Sequence, residues 1–499
     1  MSNSLLVLAP LRIEQLALGE PDGSAVLRTG MGPNRARIGA ARALGHNAQA
    51  LAVAGLCGGI DPSLRAGDVL CATELIDEHG ARTKVPGSSL LVAALRRRGL
   101  RVHVGPLASS DRILRPSERR GLPADALAVD MESAWLAAGA NGRPLAVVRV
   151  VADAAGRHLA DPRMVIAGPR ALRSLRRVRG ALSEWARAVG PRTVLLAGPR
   201  SFCAGVDRAI EIVELALAQR GAPVYVRKQI VHNKHVVADL ETRGAVFVEE
   251  LVEVPDGATV VFSAHGLSPV VRADAVGRRL DVIDATCPLV SKVHAEARRF
   301  AAEGKTIFLI GHADHEEVEG TAGEAPESIR LVEDVHEADL VEAPDPEQVA
   351  YLTQTTLAAD ETDEIVERLR TRFPALRGPA SDDICYATSN RQHAVRSIAR
   401  EADVVLVAGS DTSSNSKRLV EVARREGARA YLVDDETDID VTWLEGAAAI
   451  GITAGASAPE PIVHRLVTAL ASLGPIDVEE RTQTTESLRF RLPREVAKT

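Results

Sequence analysis

From residue 193 onward, short apolar runs rich in β-branched residues alternate with amphipathic helical stretches. They read TVLLAG, DRAIEIVELALAQRG, VYVRK, ATVVFSAHG, LDVIDATC, HAEARRFAAEG, KTIFLIGHA, ADVVLVAGS, SKRLVEVARREG and ARAYLVDD. A strand that must be followed by a helix before the next strand can be laid only beside its predecessor in the same direction, so this order predicts a parallel or mostly parallel α/β architecture. Aromatic residues make up only 3% of the chain. The cores must then be filled by Ala, Val, Leu and Ile, which suits sheets covered by helices.

At 499 residues the chain is too long for one ordinary core. Residues 171–192 (ALRSLRRVRGALSEWARAVGPR) read as an amphipathic helix closed by Gly190 and Pro191, with a fresh strand directly after. The expected organisation is a domain over residues 1–190 and a second over 191–499, the latter built as three small α/β lobes. A net charge of −7 without a long basic run gives no footprint for nucleic acid. The opening MSNSLLVLAPLRIEQ reads as a first strand rather than a signal peptide, and no uncharged stretch reaches membrane-spanning length. Five cysteines without close pairing fit a reducing, cytoplasmic setting. Cys57 and Cys71 lie in apolar surroundings and read as small buried hydrophobes.

The other three, Cys203, Cys287 and Cys385, each fall where a strand ends and a helix begins, with enough chain between them for one lobe apiece. Three thiolates from three separate turns can hold an iron–sulfur cluster by three irons and leave the fourth open to a substrate. A zinc-stabilised binding protein, or three unrelated buried thiols, are the competing readings, although structural zinc ligands usually come as close C-x-x-C pairs. Polar blocks also gather at strand ends, where ligands collect in α/β folds: VHN, SAHGLSP, GHADHEEVEG, TQTT, DTSSNSKRL and GITAGASAPE. In SSNSKRL and GASAPE, hydroxyls, an amide and the free N–H groups of a starting helix could cradle phosphate, with Pro459 expected at a first helical position; ordinary N-capping is the alternative. Glu317 in DHEEVEG is the candidate acid, because a buried carboxyl can have its pKa raised into the range of proton delivery. The string lacks the second His of a zinc-protease helix.

In this order, SFCAGVDRAI, VHN, SAHGLSP, DATCPLVSKVH, GHADHEEVEGTAGE, TQTTL, ICYATSNRQ, SSNSKRL and GITAGASAPE resemble the 4-hydroxy-3-methylbut-2-enyl diphosphate reductases, the last enzymes of the methylerythritol phosphate route to isoprenoids. The resemblance runs from about residue 193 to FRLPRE near the end. It implies a [4Fe–4S] cluster on Cys203, Cys287 and Cys385 and a reductive dehydroxylation giving isopentenyl and dimethylallyl diphosphates. It further implies that His232, His265, Ser413, Ser414, Asn415 and Ser457 hold the diphosphate with His315 beside it. Thr355 and Glu317 would meet the substrate hydroxyl, Glu317 supplying protons, and electrons would come from a donor such as ferredoxin or flavodoxin.

The first 190 residues carry RTGMGPNRA, AVAGLCGGIDPSLRAGDVL, AVDMESAWLAAG and VRVVADAAG, in which Gly30, Gly32, Gly58 and Gly59 follow strand-like runs. They resemble the purine nucleoside phosphorylase and nucleosidase superfamily, the hopanoid-associated phosphorylases among its branches. That resemblance implies Glu132 on ribose hydroxyls, Asp153 protonating the leaving base and Glu14 activating water. A domain kept only for stability or assembly is the alternative, as is a glycosidic-bond enzyme whose second half is a non-catalytic partner.

Overall fold

The computed structural model describes residues 4–19, 24–115, 117–153 and 164–497, with side chains from residue 168 onward in the last stretch. Two compact units share the chain. One comprises Met1–Val194, Asp434–Ile450 and His464–Val478; the other comprises Leu195–Val433, Gly451–Val463 and Glu479–Thr499.

The first unit is organised by an eight-stranded mixed sheet. Its order is Ser24–Arg28, Leu5–Ala9, Ala50–Gly59, Ala128–Asp130, Val102–Ser109, Val69–Ile76 and Arg82–Lys84, with Leu145–Asp153 pairing both Ala50–Gly59 and Val69–Ile76. The central strands are buried on both faces, as LLVLA (Leu5–Ala9) requires by being apolar throughout. Leu145–Asp153 runs parallel to Ala50–Gly59, and the register slips between Cys57 and Gly58 so that Gly58 faces Asp153. Such an irregularity re-aims the side chains at a strand end. The helix expected over 171–192 extends instead over Met164–Arg187, with Pro169 inside it. Proline early in a helix forfeits only one backbone bond, so Pro169 is accommodated, and the helix ends at Arg187, ahead of the Gly190 and Pro191 expected to close it.

The second unit carries the predicted alternation. A parallel four-stranded sheet orders Ala245–Val248, Val224–Arg227, Thr259–Phe262 and Asp281–Asp284, and a parallel three-stranded sheet orders Ile329–Val332, Thr306–Ile310 and Val349–Thr353. Val404–Ala408 and Arg429–Val433 of this unit pair in parallel within a further sheet. Separate apolar clusters underlie these sheets: Val224, Val226, Val261 and Ile283 in one, Ile307, Leu309 and Leu352 in another, Val405, Val407 and Leu419 in a third. Their side chains are the aliphatic ones that the composition demanded.

Candidate functional site

Each of the three cysteines is the residue immediately before a helix. Cys203 precedes Ala204–Arg220, Cys287 precedes Pro288–Ala302 and Cys385 precedes Tyr386–Ala399, all long enough to have well-formed dipoles. The sequence arranges this locally: Pro288 presets the first helical φ, and the Cys385 sulfur itself caps its helix, accepting from the Thr388 N–H at 3.4 Å. Three helix N-termini therefore aim their free N–H groups at one place, and negative charge on sulfur is favoured there.

The residues fit a metal cluster on a specific observation. A Cβ placed on Gly205 would lie 2.8 Å from the Cys287 sulfur and 3.8 Å from that of Cys203, so only glycine leaves the space between them open. Burial pushes the Cys287 thiol up to about 12 and the Cys385 thiol up to about 11. Thiols held protonated this firmly are poor nucleophiles, whereas a metal ion displaces their protons outright.

All twelve residues proposed for this half line one cavity of about 770 Å³: Cys203, Cys287, Cys385, His232, His265, His315, Glu317, Thr355, Ser413, Ser414, Asn415 and Ser457. Glu317 is 2% exposed. Burial pushes its carboxyl up to about 7, against the opposing effect of two hydrogen bonds from Thr355, from N–H at 2.7 Å and from Oγ1 at 3.1 Å. The Thr355 carbonyl in turn accepts from the Cys385 N–H at 3.0 Å and from Thr388 Oγ1 at 3.1 Å. Acid and sulfur ligand are thus fixed to one another through a single threonine.

His232 and His265 stack at 4.1 Å between ring centroids, and His315 meets them edge-on at 5.5 and 5.9 Å. Burial pushes the three imidazoles down, to about 3, 4 and 3 respectively. The His315 Nδ1 accepts from the Glu317 N–H at 3.2 Å, which leaves Nε2–H free to donate. Opposite them, Ser413 caps the helix Ser414–Arg425 through Ser416 N–H and receives the Ser457 hydroxyl at 3.4 Å. Ordinary capping and cavity lining are therefore both true of Ser413. Asn415 is buried, and neither its amide oxygen nor its nitrogen has a partner among the described residues; the same holds for His232 Nε2. Unpaired polar atoms in a cavity wall signal a polar ligand, because leaving them unsatisfied costs about 1–3 kcal/mol each. Pro459 lies one position ahead of the helix Glu460–Ala471 rather than inside it.

Three polar lining residues escaped the sequence reading. Thr356, inside the quoted TQTT block, donates to Ser414 Oγ at 3.1 Å. Tyr386 accepts the Ala204 N–H at 3.3 Å and so ties the Cys385 helix to the Cys203 helix. Thr388 sits with Oγ1 3.1 Å from the Cys385 sulfur. Only Thr356 could have been found by pattern, since a second hydroxyl directly after Thr355 at a strand end is the same signal.

The model of the LytB protein family matches residues 194–471. This chain belongs to the LytB family. Among relatives, the 4-hydroxy-3-methylbut-2-enyl diphosphate reductase of Leifsonia xyli subsp. xyli is 58% identical over 310 residues, covering 62% of this chain and 92% of its own length. Reductase 1 of that name from Mycobacterium tuberculosis is 58% identical over 313 residues, covering 62% and 95%. The solved structure of the E-1-hydroxy-2-methyl-but-2-enyl-4-diphosphate reductase from Plasmodium falciparum matches with a TM-score of 0.59 at 38% identity, over 62% of this chain and 97% of that one. The LytB part therefore aligns with relatives over nearly their whole length. A model of the phosphorylase superfamily matches residues 22–177.

In that earlier part, Glu14, Glu132 and Asp153 line a second cavity of about 750 Å³. Glu14 accepts the N–H groups of Leu11 and Leu56, each at 2.7 Å, and burial raises its carboxyl pKa. Glu132 accepts the Gly32 N–H at 3.2 Å, where glycine's positive φ of 92° presents the backbone to it. Burial pushes Glu132 up to about 7, opposed by the buried Arg149, whose guanidinium lies 3.6 Å away and forms an ion pair with Asp130 at 2.7 Å. Asp153 pairs with Arg119, which also donates to the Gly59 carbonyl at 2.9 Å. Among the described residues no helix is long and apolar enough to cross a membrane.

Proposed function

We infer that the LytB part of this chain is a 4-hydroxy-3-methylbut-2-enyl diphosphate reductase, converting that allylic alcohol to isopentenyl and dimethylallyl diphosphates. The observation that carries the reading is the single cavity in which three cysteines at helix starts, a buried acid and a wall of uncharged polar side chains meet. In this reading Cys203, Cys287 and Cys385 hold a [4Fe–4S] cluster. Such a cluster would supply the electrons and, at the iron without a cysteine, a Lewis acid for the substrate oxygen.

The conversion consumes two electrons and two protons: one proton leaves with the hydroxyl as water, the other ends on carbon at either end of the allylic unit. Glu317 is suited to the first transfer, because near neutral pH it is protonated about half the time and its position is locked by Thr355. Ser413, Ser414, Asn415, Ser457 and the histidines would grip the diphosphate, turning a mobile substrate into one whose hydroxyl is held at the reacting end. The electrons would come from a small carrier of the ferredoxin or flavodoxin kind. The test is anaerobic spectroscopy of the full-length protein with and without the allylic diphosphate. A brown protein whose reduced paramagnetic signal changes on adding substrate is expected; a colourless zinc protein would refute the assignment.

For the earlier part, the convergence of Glu14, Glu132 and Asp153 on one cavity favours cleavage of an N-glycosidic bond, with Glu132 on sugar hydroxyls, Glu14 on water and Asp153 on the leaving base. Arg119 must then release Asp153 when a base enters. Release of free base from a panel of purine nucleosides tests this, and no release from any of them would leave a structural role.

A further inference from the structure

Among the described residues, neither a lysine nor an arginine lines the reductase cavity. A diphosphate ester carries roughly two to three negative charges near neutral pH, and placing it among neutral walls leaves those charges uncompensated except by hydrogen bonds and helix ends. The permanent cations stand outside the lining: Lys228 is engaged by Glu319 at 3.1 Å, and Lys417 is an exposed residue of the adjoining polar cavity, which also holds His312 and Arg418. Arg418 is itself paired with Glu361 and Glu421. Compensation has to be found among groups that can gain charge.

The histidines are placed to do so. His265 Nδ1 lies 3.2 Å from Glu316 Oε2. A carboxylate only accepts, so Nδ1 carries the hydrogen and a neutral ring keeps Nε2 as a bare lone pair. Such a ring has nothing left to donate to a phosphate oxygen. It can bond the anion only after taking a proton, and Glu316 then stabilises the resulting imidazolium. His232, stacked on it at 4.1 Å, has a buried Nε2 without a partner among the described residues. Two cationic rings at that spacing would repel, so the pair has room for one added charge.

Resting on the diphosphate reading above, we propose that this cavity takes up its ligand together with about one proton from solvent, held by the stacked His232–His265 pair against Glu316. Burial pushes both rings down, to about 3 and 4, so they are neutral near pH 7 and the proton has to arrive with the anion. Other titratable neighbours are His315 and Glu317 in the cavity, with Glu316, His312, Lys228 and Lys417 around it. His232, His265 and Glu316 also bring ligand atoms within 4.8 Å of one another, so a divalent cation is the rival source of positive charge.

The experiment is calorimetric titration of the full-length, cluster-loaded protein with isopentenyl diphosphate, anaerobically, at pH 8 in EDTA. It is repeated in buffers of different ionisation enthalpy. The expected slope corresponds to about one proton taken up per ligand, and affinity should fall about tenfold per pH unit between pH 7 and 9. His265→Gln and Glu316→Gln should each abolish most of the uptake, while Glu317→Gln retains it. Binding without uptake overturns the proposal and leaves the diphosphate reading intact. So does uptake that survives in His265→Gln and Glu316→Gln, because the proton would then sit on the ligand or elsewhere. Binding that vanishes in EDTA and returns with a divalent cation overturns it in favour of a metal. No binding by a protein with a normal cluster signal under any of these conditions refutes the diphosphate reading itself.

Discussion

Replacing Glu317 by Gln removes the one buried carboxyl of the reductase cavity while keeping its shape. The Thr355 N–H at 2.7 Å can still be accepted by the amide oxygen, and the Thr355 hydroxyl can reverse to accept from the new NH₂ group. The structural cost should stay near 1 kcal/mol, the usual worth of one exchanged hydrogen bond. The chemical cost is larger, because a positioned general acid contributes roughly 10²–10⁴-fold. The pH dependence has a definite sign. Burial raises the Glu317 pKa from 4.5 to about 7, and the acid form is the useful one, so reductase activity is full below that value and declines above it. Between pH 6 and pH 8 the protonated fraction falls about tenfold. The assay is anaerobic turnover from pH 5.5 to 9 with an artificial reductant, alongside the electron paramagnetic signal of the cluster in both proteins. Wild type should show the decline; Glu317→Gln should keep the signal and lie two to four orders lower, without that inflection. A variant within threefold of wild type, or one that retains the inflection near pH 7, would refute the assignment of the acid.

The remaining expectations are shorter. Changing Cys203, Cys287 or Cys385 to Ser should each lower the iron content after anaerobic reconstitution and abolish turnover; full iron and normal rate in any one of them would dismiss it as a ligand. Gly205→Val should do likewise without touching a sulfur, since its side chain would enter the space between Cys203 and Cys287, and iron analysis reads the result. Asn415→Leu removes an amide whose polar atoms have no protein partner among the described residues, so it should raise KM for the diphosphate at least tenfold, with the melting temperature no lower than wild type. Asp153→Asn should stop any release of base from a nucleoside, measured by chromatography, with the reductase rate followed as control.

Much of this protein was legible in one dimension because its signals are local. Strand-then-helix alternation follows from apolar runs and amphipathic periods, and the parallel pairing of the four- and three-stranded sheets agrees with it. A cysteine at the foot of a helix is likewise a feature of a few adjacent residues, and Pro288 after Cys287 marks it directly. The helix expected over 171–192 and found over Met164–Arg187 shows where local reading stops, because helix ends are set by capping and packing more than by the amphipathic period.

Convergence is another matter. Nothing in SSNSKRL states that Asn415 lacks a partner among the described residues while Ser413 caps its helix, nor does DHEEVEG state that Glu317 is buried and Glu316 is not. Those distinctions arise when three separate sheets bring their strand ends together and decide which side chains lose water. The same holds for the Asp153–Arg119 pair, whose partners are far apart in the chain. Residue order specified which chemical groups stand at each strand end, because secondary structure is governed by near neighbours. Tertiary packing decided their burial, charge state and mutual reach, because desolvation and electrostatics depend on everything within a few ångströms, whatever its place in the chain.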